Sequence, residues 1–405
     1  MTLAVRRRVP AFAGTTMKGF RDSNLAVIWM AIAVLVLVAM PASQGMAGDA
    51  AQPGDRQVST RTLSRLLLIA ATTAGNRVVA VGEHGYVVYS DDQGKTWQRG
   101  ATPRRAMLTA VTFVDEKRGW AAGHDGQILA TQNGGATWSE QRYKPDDKQP
   151  LFALRFTDRD HGVALGAYGL FLETADGGKT WTPRAITQED KHLYAIAGDA
   201  TGRLAIAAEA GSLLVSTDQG RNWEAAASPY KGSFFGMVTT ADGGLLAFGL
   251  RGNIFRSADF GKTWTPATSE GSATLQGGAR LANGEIVLVG SAGTVLSSRD
   301  NGAAFHRVPG QQAITWSTVV PAGSGALLFG EAGAVPYVPG AIAATAAPSP
   351  PTAPAAPAAT TAAPASASPS TPATATAASA SAVPNPPPAA TAPAAKAIPP
   401  AKGKQ

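Results

Sequence analysis

Short apolar runs alternate with glycine-rich polar turns along most of the chain, and this alternation recurs about every 41 residues. The first clear copy has an apolar run at residues 78–81, a turn at 82–85 and a second run at 86–89. Short runs rich in β-branched and aromatic residues, bounded by glycine, predict paired strands. Glycine fits such turns because it adopts positive φ without a steric penalty. The pattern therefore predicts antiparallel hairpins rather than helices.

A polar octapeptide of the form Ser/Thr-x-Asp-x-Gly-x-x-Trp follows each second strand, beginning at Ser90 in the first copy. Its Ser/Thr and Asp side chains can accept backbone N–H groups, and its glycine allows the chain to reverse. The tryptophan is a large apolar residue that we expect to pack between neighbouring sheets. We assign these boxes a structural role, and their defining residues are Asp92, Gly94, Trp97, Asn133, Gly135, Trp138, Asp176, Gly178, Trp181, Asp218, Gly220, Trp223, Asp259, Gly261, Trp264, Asp300, Gly302 and Phe305.

A seventh copy starts at Gly330 but stops at Tyr337, without the second half of the unit. One small sheet cannot bury both of its faces, so units of this size stack into a ring. The repeat predicts an all-β, seven-bladed β-propeller of four-stranded antiparallel blades over residues 54–340. We expect residues 54–62 to complete the seventh blade and close the ring, ahead of a first innermost strand at 66–70.

The N-terminus has the features of a targeting segment. An apolar run at residues 25–40 follows Lys18 and Arg21, and small residues precede a possible cleavage site at Ala47. This arrangement predicts a secretory signal peptide over residues 1–47, with Met17 as an alternative start. We expect an exported, periplasmic protein; the alternative is an uncleaved N-terminal segment that anchors it to the inner membrane.

Residues 341–405 consist almost entirely of Ala, Pro, Thr and Ser. Such a composition cannot bury a core, and its prolines cannot donate ladder hydrogen bonds. The sequence predicts a disordered C-terminal tail.

The formal charge of +7 arises at the two ends, because residues 1–47 carry a net +4 and residues 341–405 a net +3. The repeat region is formally neutral, so the charge gives no support for a nucleic-acid partner. The chain contains no cysteine. The glycine-rich stretches close hairpins rather than open helices, and we therefore predict no phosphate-binding loop and no cofactor.

The octapeptide resembles the Asp-box, or BNR repeat, of sialidases and other propellers. The longer unit, with Gly-Trp-Ala-Ala-Gly at 119–123 and Asp-Gly-Gly-Lys-Thr-Trp at 176–181, resembles the photosystem II stability/assembly factor family over residues 60–338. The resemblance implies an exported seven-bladed propeller that assists the assembly of membrane subunits in photosynthesis. The family also has members in bacteria without photosynthesis, so both a photosystem subunit and an unrelated complex, such as a transporter, remain open as clients.

The turns inside Gly-x-x-Gly and the loops between blades should share one face of the ring. The scaffold repeats while these positions vary, as in a recognition surface, and Tyr and Arg are frequent in interface hot spots. The other interpretation is that they are ordinary solvated turn residues. The predicted binding-face residues are Glu83, His84, Arg104, Arg105, His124, Asp125, Tyr143, Lys144, Tyr168, Glu209, Tyr230, Lys231, Arg251 and Glu331.

We predict a monomeric, non-catalytic scaffold or assembly factor that docks on a membrane or envelope protein. The alternative is a sialidase-like BNR glycosidase or a carbohydrate-binding propeller, but no Arg-Ile-Pro motif precedes the first Asp-box. Among the turn carboxylates Glu83, Asp125, Glu209 and Glu331, nothing in the sequence places a pair at the separation that hydrolysis needs. His84, His124 and Asp125 would make only a partial metal site, so no metal is predicted.

Overall fold

Seven antiparallel sheets follow one another along residues 57–339, the part of the chain that the computed structural model describes. The predicted all-β seven-bladed propeller is confirmed. The predicted signal peptide, the predicted tail and the expected limits of the propeller at 54 and 340 lie outside the described residues. Within residues 57–339, no helix has the length and apolar character needed to span a membrane.

The first strand of each blade lies innermost. Each packs beside the first strands of both neighbouring blades, and that of blade 7 packs beside that of blade 1, so the seven form a closed ring. The innermost strands are Leu68–Ala74, Leu108–Phe113, Leu151–Phe156, Leu193–Gly198, Phe234–Thr239, Leu275–Arg280 and Trp316–Ala322. The first begins two residues later than the predicted 66–70 and extends four residues further.

The remaining strands of each blade follow outward in chain order. The second strands are Arg77–Gly82, Gly119–Gly123, Gly162–Gly166, Leu204–Ala208, Leu245–Gly249, Ile286–Gly290 and Gly325–Gly330. The third strands are Val87–Ser90, Ile128–Thr131, Phe171–Thr174, Leu213–Ser216, Ile254–Ser257, Val295–Ser298 and Gly333–Tyr337. The outermost strands are Trp97–Arg99, Ser139–Arg142, Thr182–Pro183, Glu224–Ala225, Thr265–Pro266 and Ala304–Arg307, and a short strand Thr268–Ser269 joins the sixth of these in parallel.

The N-terminal segment lies at the junction of the last and first blades, as expected for ring closure, but it does not complete the seventh blade. Its strand Gln57–Val58 pairs with the outermost strand of blade 1, and a short helix, Thr60–Leu63, follows. Blade 7 has three strands within the described residues. Pro336 lies in its third strand, and proline is confined to edge strands and bulges because it has no N–H to donate. Closure occurs instead through packing, because Leu63 is buried in a cluster that includes Phe329 of blade 7.

Each Asp-box forms the turn between the third and outermost strands, as predicted. In blade 1, the Ser90 hydroxyl oxygen accepts the Gly94 N–H at 2.8 Å, and Asp92 accepts the Thr96 N–H at 2.8 Å. The Trp97 indole donates to the Gly94 carbonyl at 3.0 Å. Side chains of the box thus replace backbone partners across a tight reversal, so its residues determine the turn.

The box aromatics pack between neighbouring blades, also as predicted. Trp97 meets Phe329 of blade 7 edge-to-face with ring centroids 6.0 Å apart, and Trp223 of blade 4 meets Phe171 of blade 3 at 5.9 Å. Each aromatic therefore seals its own blade against the preceding one, and burial at these interfaces is the main cohesion of the ring.

Candidate functional site

The Gly-x-x-Gly turns of blades 1 to 5 are tight 3-10 turns, and those of blades 1 to 6 have a left-handed residue at the tip. The tip residues with positive φ are His84, Asp125, Tyr168, Ala210, Arg251 and Ala292, at φ values from 50° to 58°. A non-glycine residue in this region is strained by about 1–2 kcal/mol. The repeat therefore holds one non-glycine side chain at the outer tip of each of these turns, which the sequence pattern alone did not indicate.

The loop to the next blade passes directly over each turn. The Lys144 N–H donates to the Asp125 carbonyl at 2.8 Å, and the Gly169 N–H donates to the Lys191 carbonyl at 2.7 Å. A Cβ atom on Gly85 would strike the Arg104 carbonyl oxygen, so the second glycine of the motif is required by this crossing. Turns and inter-blade loops thus share the end of the ring opposite the Asp-boxes; we call it the turn face.

Three of the predicted carboxylates have structural partners. Glu83, Glu209 and Glu331 occupy the same position in blades 1, 4 and 7. They accept backbone N–H groups from Leu67 at 3.0 Å, His192 at 3.2 Å and Thr315 at 3.0 Å, respectively. Each carboxylate fixes the chain where it enters an innermost strand.

A packed cation–aromatic pair joins the loop between blades 1 and 2, which carries Arg104, to the loop between blades 2 and 3, which carries Tyr143. The Arg104 guanidinium lies 4.0 Å from the centroid of the Tyr143 ring and forms an ion pair with Glu140. Hydrogen bonding to Glu140 raises the pKa of Arg104. Arg104 is therefore held in place by its neighbours, although it is exposed, as are Arg105 and Lys144.

Tyr230 is anchored within the loop between blades 4 and 5. Its hydroxyl donates to the Leu250 carbonyl at 3.1 Å, and its ring stacks on Phe255 with centroids 5.6 Å apart. Burial is the main cause of its raised pKa. The neighbouring Lys231 and the tip residue Arg251 are exposed.

The predicted histidines differ in setting. His84 is exposed and lies 3.7 Å from Glu83, while His124 is half-buried and its pKa is lowered by burial. Within residues 57–339, no group of three or more His, Cys, Asp or Glu side chains could hold a metal ion.

Every innermost strand contains a β-bulge at the same place, which sequence analysis did not predict. The register between first and second strands shifts around one residue in all seven blades, and this residue is half-buried while its predecessor is fully buried. Bulges re-aim side chains and often lie beside functional sites. The bulged residues, which we call the bulge ring, are Ile69, Thr109, Phe152, Tyr194, Phe235, Gln276 and Ser317.

Blades 3, 4 and 5 contribute aromatic side chains to this ring. The centroids of Phe152 and Tyr194 lie 5.5 Å apart, and those of Tyr194 and Phe235 lie 5.0 Å apart. Contacts across three successive innermost strands place these rings along the inner edge of the propeller. We call these three residues the aromatic floor. The other four blades supply Ile69, Thr109, Gln276 and Ser317, so the ring is aromatic on one side and mostly polar on the other.

His192 connects the aromatic floor to the turn face. Its ring lies 5.9 Å from those of Phe152 and Tyr194 and meets Tyr168 edge-to-face at 4.9 Å. The Tyr168 N–H donates to His192 Nδ1 at 3.2 Å. Tyr168 is 53% exposed, so a continuous aromatic surface extends from the inner edge of the propeller to a turn tip. Tyr168 belongs to the predicted set, whereas His192 and the floor do not.

The Tyr194 hydroxyl is a polar atom at the base of the aromatic floor. It is buried and has no hydrogen-bond partner among the described residues. Burial raises the pKa of Tyr194, so the phenol is neutral at physiological pH. An unpaired buried hydroxyl is unfavourable by itself and can be satisfied by a ligand group at the floor.

Comparison with known families gave two matches. A model of the BNR/Asp-box repeat matches residues 88–99, and the model described as photosynthesis system II assembly factor YCF48 matches residues 144–302. Comparison with curated proteins gave no match.

Solved propellers share the fold. A structure of YCF48 bound to D1 peptide is 19% identical, with a TM-score of 0.55, covering 68% of this chain and 92% of that one. YCF48 from Cyanidioschyzon merolae is 15% identical, with a TM-score of 0.56, covering 70% of this chain and 99% of that one. A streptogramin B lyase is 13% identical, with a TM-score of 0.57, covering 67% and 93%, so the fold alone does not separate binding proteins from enzymes. The chain is a seven-bladed BNR-repeat propeller that resembles the photosynthesis system II assembly factor family.

Proposed function

We propose that this chain is an exported, non-catalytic propeller that binds a segment of a membrane or envelope protein on its turn face. The observation that carries the proposal is the aromatic surface formed by Tyr168, His192 and the aromatic floor. Partly exposed aromatic rings supply large contact area at small entropic cost and dominate interface hot spots. The unpaired Tyr194 hydroxyl is buried, so it would donate to a backbone carbonyl of the bound segment only after binding moves the rings that cover it.

The similarity to the assembly-factor family supports a protein partner. One fold neighbour is described as bound to D1 peptide, so a propeller of this shape can hold a peptide. A client of the same kind, either a photosystem subunit or an unrelated membrane complex such as a transporter, suits this chain. The predicted signal peptide over residues 1–47 would deliver the propeller to the periplasm, where the exported parts of such clients are accessible.

The geometry does not favour the hydrolase alternative. Glu83, Glu209 and Glu331 accept backbone N–H groups at strand entrances, which assigns these carboxylates to the scaffold. The backbone carbonyl of Asp125 accepts the Lys144 N–H, and its carboxylate is the one member of the four without a backbone N–H partner among the described residues. A glycosidase needs two carboxylates that face the same sugar.

The proposal is tested by crosslinking the tagged protein in cells and identifying what co-purifies, with wild type and a Phe152→Ser/Phe235→Ser variant. These half-buried rings line the inner edge, so their truncation should leave the blades folded. The matched control is Lys179→Ala, on the exposed Asp-box of blade 3. We expect one membrane or envelope protein to be captured by wild type and control and lost from the floor variant. Equal capture by all three, or no specific capture, contradicts the proposal.

Export is tested separately by fractionating cells that express the tagged chain with and without residues 1–47. We expect periplasmic protein only when those residues are present. Cytoplasmic protein in both cases contradicts export without bearing on the binding face.

A further inference from the structure

Arg155 breaks the pattern of the innermost strands. By register, it lies opposite Val163 in the second strand of blade 3, three residues before the first glycine of the turn motif. The residues at the same register position in the other six blades are Thr72, Thr112, Ala197, Val238, Ala279 and Val320. A guanidinium thus occupies a position that elsewhere holds a small, uncharged side chain at the junction between blades.

The next blade leaves room for this guanidinium. A Cβ atom on Gly198 of blade 4 would lie 3.0 Å from Arg155 Nη2. The residues at the register position of Gly198 in the other blades all carry side chains: Thr73, Phe113, Phe156, Thr239, Arg280 and Pro321. Two departures from the repeat, one in each of two adjacent blades, therefore complement each other.

The Arg155 guanidinium has no partner within residues 57–339. Its Nε is buried without a hydrogen-bond acceptor, and no carboxylate of the described residues forms an ion pair with it. Burial lowers the pKa of Arg155, and the more distant Asp199 only partly opposes this effect. Asp199 is itself paired with Arg203 at 2.6 Å. A partly buried, unpaired cation is unfavourable unless something else supplies the negative charge.

Arg155 lines a cavity of about 510 Å³ between blades 3 and 4, at the end of the ring that carries the Asp-boxes. Thr180, Gln219 and Arg221 add further polar groups to its wall. The two carboxylates of the wall already have partners. Asp158 accepts the backbone N–H groups of Asp160 and His161, each at 2.8 Å, and Glu173 pairs with Arg184 at 2.6 Å.

We propose that this cavity binds a small molecule through an oxyanion, either a carboxylate or a phosphate, with Arg155 as its principal donor. A guanidinium offers paired N–H groups in the planar geometry that suits carboxylate and phosphate oxygens. A volume of this size accommodates a small organic acid or a phosphorylated metabolite rather than a bare ion. The cavity lies at the opposite end of the ring from the turn face, so this site is independent of the proposed client-binding function.

The test measures the melting temperature and the binding isotherm of the purified propeller with inorganic phosphate and with citrate, each against chloride at equal ionic strength. The variant is Arg155→Val, which installs the residue that blades 5 and 7 carry at this position and should therefore fold. The control is Arg159→Ala, an exposed arginine that pairs with Asp115 and does not line the cavity.

We expect phosphate or citrate to raise the melting temperature of wild type and of Arg159→Ala, and affinity to fall about tenfold or more in Arg155→Val. Stabilisation by phosphate alone identifies a phosphate ligand, and stabilisation by citrate alone a carboxylate. The proposal is overturned if neither anion acts differently from chloride, or if Arg155→Val retains the wild-type response.

Discussion

Tyr194 and Phe235 belong to neighbouring blades, yet their rings meet edge-to-face with centroids 5.0 Å apart. Both are the bulged residues of their innermost strands, so the same backbone irregularity brings them together. Because the bulge recurs in every blade, each blade contributes one side chain to the same surface. The type of that side chain differs from blade to blade. That surface is aromatic only where blades 3, 4 and 5 meet.

The Tyr194 hydroxyl affects both stability and client binding. Tyr194→Phe keeps the ring but removes a buried hydroxyl without a partner, so we expect the free energy of unfolding to stay equal or rise by up to about 1 kcal/mol. We expect client binding to weaken about threefold to tenfold, because a hydrogen bond is lost. Urea unfolding and titration with the captured client segment measure the two effects. Unchanged affinity would show that the hydroxyl does not contact the client.

Acid stability depends on the Asp-boxes. Hydrogen bonds from the hydroxyl and the backbone N–H of Thr96 lower the pKa of Asp92 to about 2, and Asp176, Asp218 and Asp259 are lowered similarly. A carboxylate with a lowered folded-state pKa stabilises the fold above its unfolded pKa of 3.8, and this contribution is lost as the pH falls towards 2. We expect the free energy of unfolding to drop between about pH 4 and pH 2.

Blade 2 supplies the substitution that tests this titration. Asn133 stands where other boxes have Asp, accepts the Thr137 N–H at 2.9 Å and donates to the Thr137 hydroxyl at 2.8 Å. Asp92→Asn should therefore preserve the turn and reduce the acid-dependent loss seen in urea unfolding from pH 7 to pH 2. The control Asp146→Asn changes an exposed loop residue and should match wild type. Identical acid profiles for Asp92→Asn and wild type would argue against this origin of acid sensitivity.

A buried carboxylate links blades 6 and 7. Glu285 is 2% exposed and accepts hydrogen bonds from Tyr337 at 2.8 Å and from Ser297. Tyr337→Phe removes one donor from a buried acceptor, which should destabilise the fold by about 1–3 kcal/mol. Burial is the first cause of the raised pKa of Tyr337, and the bond to Glu285 adds to it. Denaturant unfolding measures the change; a Tyr337→Phe protein as stable as wild type would show that the bond contributes little.

Ring closure depends on the packing of Leu63. This residue is 6% exposed between blades 1 and 7, and its carbonyl lies against Gly333. Leu63→Ala should destabilise the propeller by about 2–4 kcal/mol, because it leaves a cavity at the closing interface. Val338→Ala is the matched control, since Val338 is 69% exposed and should have an effect below about 0.5 kcal/mol. Thermal unfolding compares the two, and equal effects would contradict closure through Leu63.

The sequence was sufficient for the parts of the structure that repeat. The boxes at Asp92 and Trp97 recur with a fixed spacing, and their turn geometry depends on local side-chain bonds, so both the blades and the Asp-box face could be predicted. The pairing of the N-terminal strand could not be predicted, because the outer edges of blades 1 and 7 are both available to Gln57–Val58. Only three-dimensional packing decides between them.

The aromatic floor and the Arg155 cavity were missed for a different reason. Within their own strands, Phe152, Tyr194 and Phe235 resemble ordinary alternating β residues, although they recur at the repeat period. Their proximity depends on bulges, which have no local sequence signature here. The environments of His192 and Arg155 likewise depend on residues of adjacent blades. Those residues are remote in the chain, so the local sequence does not indicate the contacts.

Under the proposed function, the turn face contacts the client and the Asp-box face does not. The most direct measurement incorporates a photo-crosslinking amino acid at Tyr168 or at Lys179, which lie on opposite faces of blade 3, in the protein expressed in its own cells. We predict that Tyr168 yields a crosslink to one membrane or envelope protein and that Lys179 does not. Crosslinks of equal yield from both positions, or from Lys179 alone, would contradict client binding on the turn face.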